Sequence, residues 1–136
     1  MNAPAPHTPI CVIDAFTDQP FRGNPAAVCL LRQAVPDPWL QSLAAEMNLS
    51  ETAFVTPTPT PGTFHLRWFT PATEVDLCGH ATLASAHMLW ERGLVPPHLD
   101  IQFLTRSGPL HCSRDGGRVR MDFPARPRSA EHTSEL

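Results

Sequence analysis

The sequence predicts an α+β fold: a half-barrel of β-strands wrapped around one central, buried helix. Three observations lead there. Most apolar segments are short, rich in β-branched and aromatic residues, and bounded by Pro, Gly and Asp turns, the pattern of strands. Asp37 to Met47 repeats apolar residues at helical spacing. Cys78 to Arg92 (CGHATLASAHMLWER) is small or apolar around almost its whole circumference, as expected of a helix covered on every side.

The elements follow in order. Ile10 to Phe16 (ICVIDAF) predicts the first strand, and Thr17 to Pro25 (TDQPFRGNP) a loop closed by the turn formers Gly23-Asn24-Pro25. Ala26 to Leu31 is apolar at every position, which predicts a strand in the middle of the sheet. Asp37 has the side chain of an N-cap, and Pro38 suits the first turn, where a missing N–H costs nothing. Behind them Trp39, Leu40, Leu43, Ala44 and Met47 form a stripe opposite Gln41, Ser42 and Glu46, and the helix is expected to end near Asn48. Glu51 to Thr56 (ETAFVT) predicts a strand, Pro57 to Gly62 (PTPTPG) a rigid exposed connection, and Phe64 to Phe69 (FHLRWF) an alternating strand on which the side taken by Trp68 stays open. Gly93 is placed to terminate the buried helix. Ile101 to Leu104 and Leu110 to Ser113 predict strands, and Asp115-Gly116-Gly117 a tight turn into Arg118 to Phe123, whose Val119, Met121 and Phe123 share a face. Trp39 and Trp90 are expected in the core. Residues 1–9 are expected to be a disordered arm, 10–124 one lobe, and 125–136 a tail; its Arg128 to Leu136 (RSAEHTSEL) reads like a translated adapter and is set aside from the fold.

Composition narrows the function. The formal net charge is −3 and no basic cluster is interleaved with aromatics, so nucleic acid is not an expected partner. No apolar run is long enough to span a bilayer, so no membrane association is expected. The first ten residues carry neither a basic nor an apolar run, and the expected location is the cytoplasm. Cys11, Cys29, Cys78 and Cys112 are widely spaced and are expected to be free thiols. Every basic side chain is arginine; without lysine the chain can offer neither a Schiff-base amine nor a phosphate-loop lysine. His80 and His87 lie two helical turns apart, too far along the axis for one ion, and no other set has metal-ligand spacing. Neither a metal nor a cofactor is expected.

Four segments, in order, resemble the PhzF-like isomerases of phenazine biosynthesis, which share their fold with diaminopimelate epimerase. They are Asp14-Ala15-Phe16-Thr17 with Gly23-Asn24-Pro25-Ala26-Ala27-Val28; Asn48-Leu49-Ser50-Glu51-Thr52-Ala53-Phe54-Val55; Leu66-Arg67-Trp68-Phe69-Thr70-Pro71; and Cys78-Gly79-His80-Ala81-Thr82-Leu83-Ala84 with Ser85-Ala86-His87. The resemblance covers the family's first half and implies two such lobes with an active site in the cleft between them, this chain supplying one. It implies a cofactor-independent isomerase acting on a small amino-acid-like or cyclic carboxylate, and a homodimer is expected of the full-length protein. The chain alone is expected to be inactive.

Within the resemblance, Glu51 corresponds to the general acid/base. A carboxyl that takes a proton from one carbon and returns it to another has to be usable in both protonation states, which burial favours. From position alone, Glu51 reads equally as a solvated strand-end glutamate. Gly79 and His80 correspond to a pair lining the site: unpaired N–H groups where a helix begins attract a carboxylate, while a lone histidine there is otherwise a cap or a core residue. Asn24 either contacts substrate or completes a turn. Cys78 is the rival acid/base, because cysteine-pair epimerases place a thiol at this point; the alternative is a packed, inert thiol. Those enzymes typically follow that cysteine with Gly-Asn, not the Gly-His found here.

Overall fold

The computed structural model describes residues 10–15, 24–116 and 118–122, with side chains within 26–116 and 118–122. The expected arm (1–9), the expected tail (125–136), Phe16 to Gly23, Gly117, Phe123 and the side chain of Asn24 lie outside the described residues. The elements are β1 (Ile10–Ala15), β2 (Asn24–Leu30), α1 (Asp37–Met47), β3 (Glu51–Pro57), β4 (Thr63–Phe69), β5 (Glu74–Val75), α2 (Gly79–Glu91), β6 (Ile101–Thr105), β7 (Gly108–Asp115) and β8 (Arg118–Asp122). They form one mixed eight-stranded sheet in the order β1-β2-β3-β4-β6-β7-β8, with the two-residue β5 paired to β4.

The sheet curves around α2. Alternation in the strands sets its two faces. Val28, Ala53 and Trp68 stand in register across β2, β3 and β4, as do Leu30, Val55 and Leu66, and all of them pack on the α2 side. Ile101, Phe103, Leu110, Cys112 and Met121 continue that inner face through β6, β7 and β8. Nine α2 residues are buried, from Ala81 to Trp90. The polar ones among them are satisfied inside the helix: Thr82 Oγ1 donates to Cys78 O at 2.8 Å and Ser85 Oγ to Ala81 O at 2.7 Å. The helix ends as Gly93 predicts. Gly93 takes φ +74°, its N–H reaches Trp90 O at 3.1 Å, and Leu94 N–H reaches Leu89 O at 3.0 Å.

The other residues of β2, β3 and β4 face outward under α1. Cys29, Leu31, Phe54 and Phe69 bury Leu40 and Ala44, which makes a second, smaller core on the convex side. Trp39 is partly buried there, edge-on to Phe54 with ring centroids 6.5 Å apart, whereas Trp90 sits in the main core. Two local expectations need correction. The N-cap of α1 is Pro36 (φ −63°, ψ 145°), not Asp37. Asp37 is the first helical residue, and its carboxylate turns to Arg67 Nη1 at 2.9 Å, a partner far along the chain that local sequence does not reveal. The loop before β2 also ends sooner than expected, because Asn24 and Pro25 already pair with Ala15 and Asp14.

Candidate functional site at the start of the buried helix

Glu51 opens β3, one residue pair beyond the inward-facing Ala53 and Val55, so alternation aims it at α2. It is aligned with Ala26 of the parallel neighbour β2. Three residues after α1 closes on Asn48 in the left-handed conformation (φ 54°), the chain is already extended at Glu51. That tight exit places the carboxylate at the end of the sheet where α2 begins.

At that point Cys78, Gly79 and His80 enter the helix. His80 Nε2 lies 2.8 Å from Glu51 Oε1, with the side chains only 13% and 19% exposed. Both atoms are shielded from solvent. On its other edge, His80 Nδ1 lies 3.6 Å from Cys78 Sγ. A thiol, an imidazole and a carboxylate therefore stand in one cluster, with one polar atom of each within 4.8 Å of the others. Glu51, His80 and Cys78 are thus brought together, and Gly79 is the residue between the last two. Nothing in the described side chains bears on Asn24.

Electrostatics bear on the thiol. Burial pushes the Cys78 thiol up to about 12; the backbone N–H groups of Ala81 and His80 oppose this, and the neighbouring Glu51 carboxylate reinforces it. At pH 7 such a thiol is about one part in 10⁵ thiolate. The helix start, which in isolation favours a thiolate, loses here to desolvation. Cys78 is a packed, protonated thiol. Glu51 is shielded but still partly open to the concave end of the lobe.

The site is held from behind by a chain that sequence reading misses. Trp68 faces inward and its indole Nε1–H donates to Thr82 Oγ1 at 3.0 Å, in a fully buried contact. Thr82 Oγ1 in turn donates to the Cys78 carbonyl at 2.8 Å. The four-residue step from Cys78 to Thr82 is the one local signal of this arrangement. A groove of about 510 Å³ lies elsewhere, on the opposite face of the sheet, between Leu31, Leu40, Phe54 and Arg67.

A curved mixed sheet around a buried helix, with Glu51, His80 and Cys78 gathered where that helix begins, has an epimerase-like fold. The solved hydroxyproline epimerase from Agrobacterium vitis shares this fold with a TM-score of 0.64 at 12% identity, over 84% of this chain and 40% of that one. The similarity is closer to a crystal structure of the PhzF family from Enterococcus faecalis: TM-score 0.77, 42% identity, 82% of this chain and 42% of the other. An uncharacterised isomerase of Halalkalibacterium halodurans is 57% identical over 118 residues, which is 87% of this chain and 44% of the relative. Residues 13–135 match the family described as phenazine biosynthesis-like protein, PhzC-PhzF. The chain belongs to that family, and it spans less than half the length of the relatives it matches.

Proposed function

We propose that this chain is the catalytic lobe of a cofactor-independent isomerase in which Glu51 removes a proton from one carbon of a small carboxylate and returns it to another. The observation that carries the reading is the 2.8 Å contact between Glu51 Oε1 and His80 Nε2 at the start of α2. A carboxylate acting as base needs a fixed direction, and His80 supplies it. When substrate is bound, the same imidazole is placed to hydrogen-bond the negative charge that develops as the proton leaves carbon. Gly79, which has no side chain, lets a substrate carboxylate approach the backbone of the first helical turn.

The relatives support the reaction class: the Halalkalibacterium halodurans protein, 57% identical to this chain, is named an isomerase. The choice of carboxylate over thiol rests on Cys78, whose proton is held up to about 12. A cysteine-pair mechanism needs a thiolate at neutral pH, which this environment disfavours. The chain spans 44% of that isomerase; in this reading a second lobe completes the cleft, and the chain alone is expected not to turn over.

The test joins residues 1–124 to the remaining lobe of a relative such as the Halalkalibacterium halodurans isomerase. Small amino-acid and cyclic carboxylates are then incubated in deuterium oxide. Uptake at carbon is expected in the joined protein, with a loss of at least 10² in Glu51→Gln and no uptake by the isolated chain. Uptake unchanged in Glu51→Gln would rule the mechanism out.

A further inference from the structure

The thiol, imidazole and carboxylate at the start of α2 are also a complete set of ligands for a metal ion. Sequence spacing does not show this, because Glu51 and the Cys78–His80 pair come from separate elements. In the structure one donor atom from each of Glu51, Cys78 and His80 lies within 4.8 Å of the others. We propose that these three side chains bind a thiophilic divalent cation of the zinc type, and that the bound ion engages the carboxylate on which the proposed reaction rests.

Donor chemistry selects the ion. Sulfur, imidazole nitrogen and carboxylate oxygen together suit Zn²⁺, Co²⁺ or Cd²⁺, whereas Mg²⁺ and Ca²⁺ require oxygen shells. Distances fit as well. Tetrahedral zinc with Zn–S of about 2.3 Å and Zn–N and Zn–O of about 2.0–2.2 Å implies donor-to-donor edges of about 3.4–3.6 Å. Cys78 Sγ and His80 Nδ1 already stand 3.6 Å apart. The Glu51 carboxylate has to leave Nε2 and move by about an ångström to close the third edge, which a side-chain rotation provides. Three protein ligands leave a fourth position for water or a small anion, as in open zinc sites. Binding displaces the thiol proton to solvent and changes no oxidation state.

The consequence for function follows from Glu51 being shared. A carboxylate committed to a metal cannot accept a proton from carbon, so ion and reaction exclude one another. The metal site stands on the geometry of the three side chains and not on the isomerase reaction; its test therefore reads binding, not turnover.

Cd²⁺ is titrated into the 136-residue chain and followed by calorimetry and by the ultraviolet thiolate-to-cadmium charge-transfer band. The expected result is that the band appears in wild type and in Cys112→Ser, vanishes in Cys78→Ser, and needs at least tenfold more Cd²⁺ in Glu51→Gln and His80→Gln. Far-ultraviolet circular dichroism confirms that each variant is folded. A band of full strength in Cys78→Ser, or unchanged affinity in both Glu51→Gln and His80→Gln, would overturn the proposal. Should Cys78→Ser not fold, X-ray absorption of the zinc-loaded wild type decides: one sulfur with nitrogen and oxygen neighbours supports the site, and a shell of oxygen alone or of several sulfurs refutes it. Loss of isomerase activity with these signals intact would remove the proposed function and leave the metal site standing.

Discussion

Replacing Trp68 with Phe tests how the site is anchored. Trp68 is 1% exposed, and its indole N–H is donated to Thr82 Oγ1 across the core at 3.0 Å. The substitution removes that bond, worth about 1 kcal/mol net. It also leaves a void of a few tens of Å³ which, at about 24 cal/mol per Å³, costs roughly another 1 kcal/mol. The expected loss is about 2 kcal/mol. Thr82→Val acts on the same link from the other side. It strands a buried indole N–H and deprives the Cys78 carbonyl of its 2.8 Å side-chain bond, leaving only the helical N–H of Thr82 at 3.1 Å; about 2 kcal/mol is again expected. Because both variants break one bond, the double variant should lose about 1 kcal/mol less than their sum. Urea denaturation followed by circular dichroism measures this, and in a chain of this size each single variant should melt about 6–10 °C lower. Additivity within about 0.5 kcal/mol, or a Trp68→Phe cost below that, would show that the indole–hydroxyl link does not hold the start of α2.

Two other perturbations follow from the outer face and the sheet. Arg67 grips Glu74 through two bonds at 2.9 and 2.8 Å and also reaches Asp37, and its hydrogen bonds hold both carboxyls below their ordinary values of 4.5 and 3.8. A lowered folded-state pKa gives stability that is full above the unfolded value and lost as pH falls through the folded one. Wild type should therefore lose stability on acidification below about pH 4.5, and Arg67→Met should flatten that slope while costing about 1 kcal/mol at pH 7 for the Glu74 pair; urea melts at pH 7 and pH 3 check both. Thr52 is fully buried, and its hydroxyl has no hydrogen-bond partner among the described residues. Thr52→Val should accordingly be neutral or stabilising by up to about 1 kcal/mol, and a loss of 1 kcal/mol or more in the same assay would show that the hydroxyl is used.

Much of this architecture was legible because its signals are local. The alternation in Phe64–Phe69, the stripe from Trp39 to Met47 and the mostly apolar Cys78–Arg92 segment each specify an element without reference to the rest. What could not be read depended on contacts across the chain. The face of Trp68 was ambiguous because both sides of β4 are covered, one by α2 and the other by α1. Asp37 has the chemistry of a cap, but a stronger partner, Arg67, claims it. β5 is two residues long and has no periodicity to detect. Glu51, Gly79 and His80 emerged as site residues through the family resemblance, and the register of β3 beside β2 puts Glu51 against the helix start. The protonated state of Cys78 was unreadable, because a helix start and burial push a thiol in opposite directions and only the packing decides between them.

The central claim is that a single carboxyl carries the hydrogen, and internal transfer measures it directly. A substrate found in the deuterium screen is prepared with deuterium at the carbon that loses its hydrogen, and is converted in ordinary water by the joined two-lobe protein. With Glu51 as both acceptor and donor, part of the deuterium should reappear at the new carbon of the same molecule, and the fraction should be unchanged in Cys78→Ser. Complete washout into solvent, together with loss of turnover in Cys78→Ser, would mean that two separate groups handle the proton and that Glu51 is not the carrier.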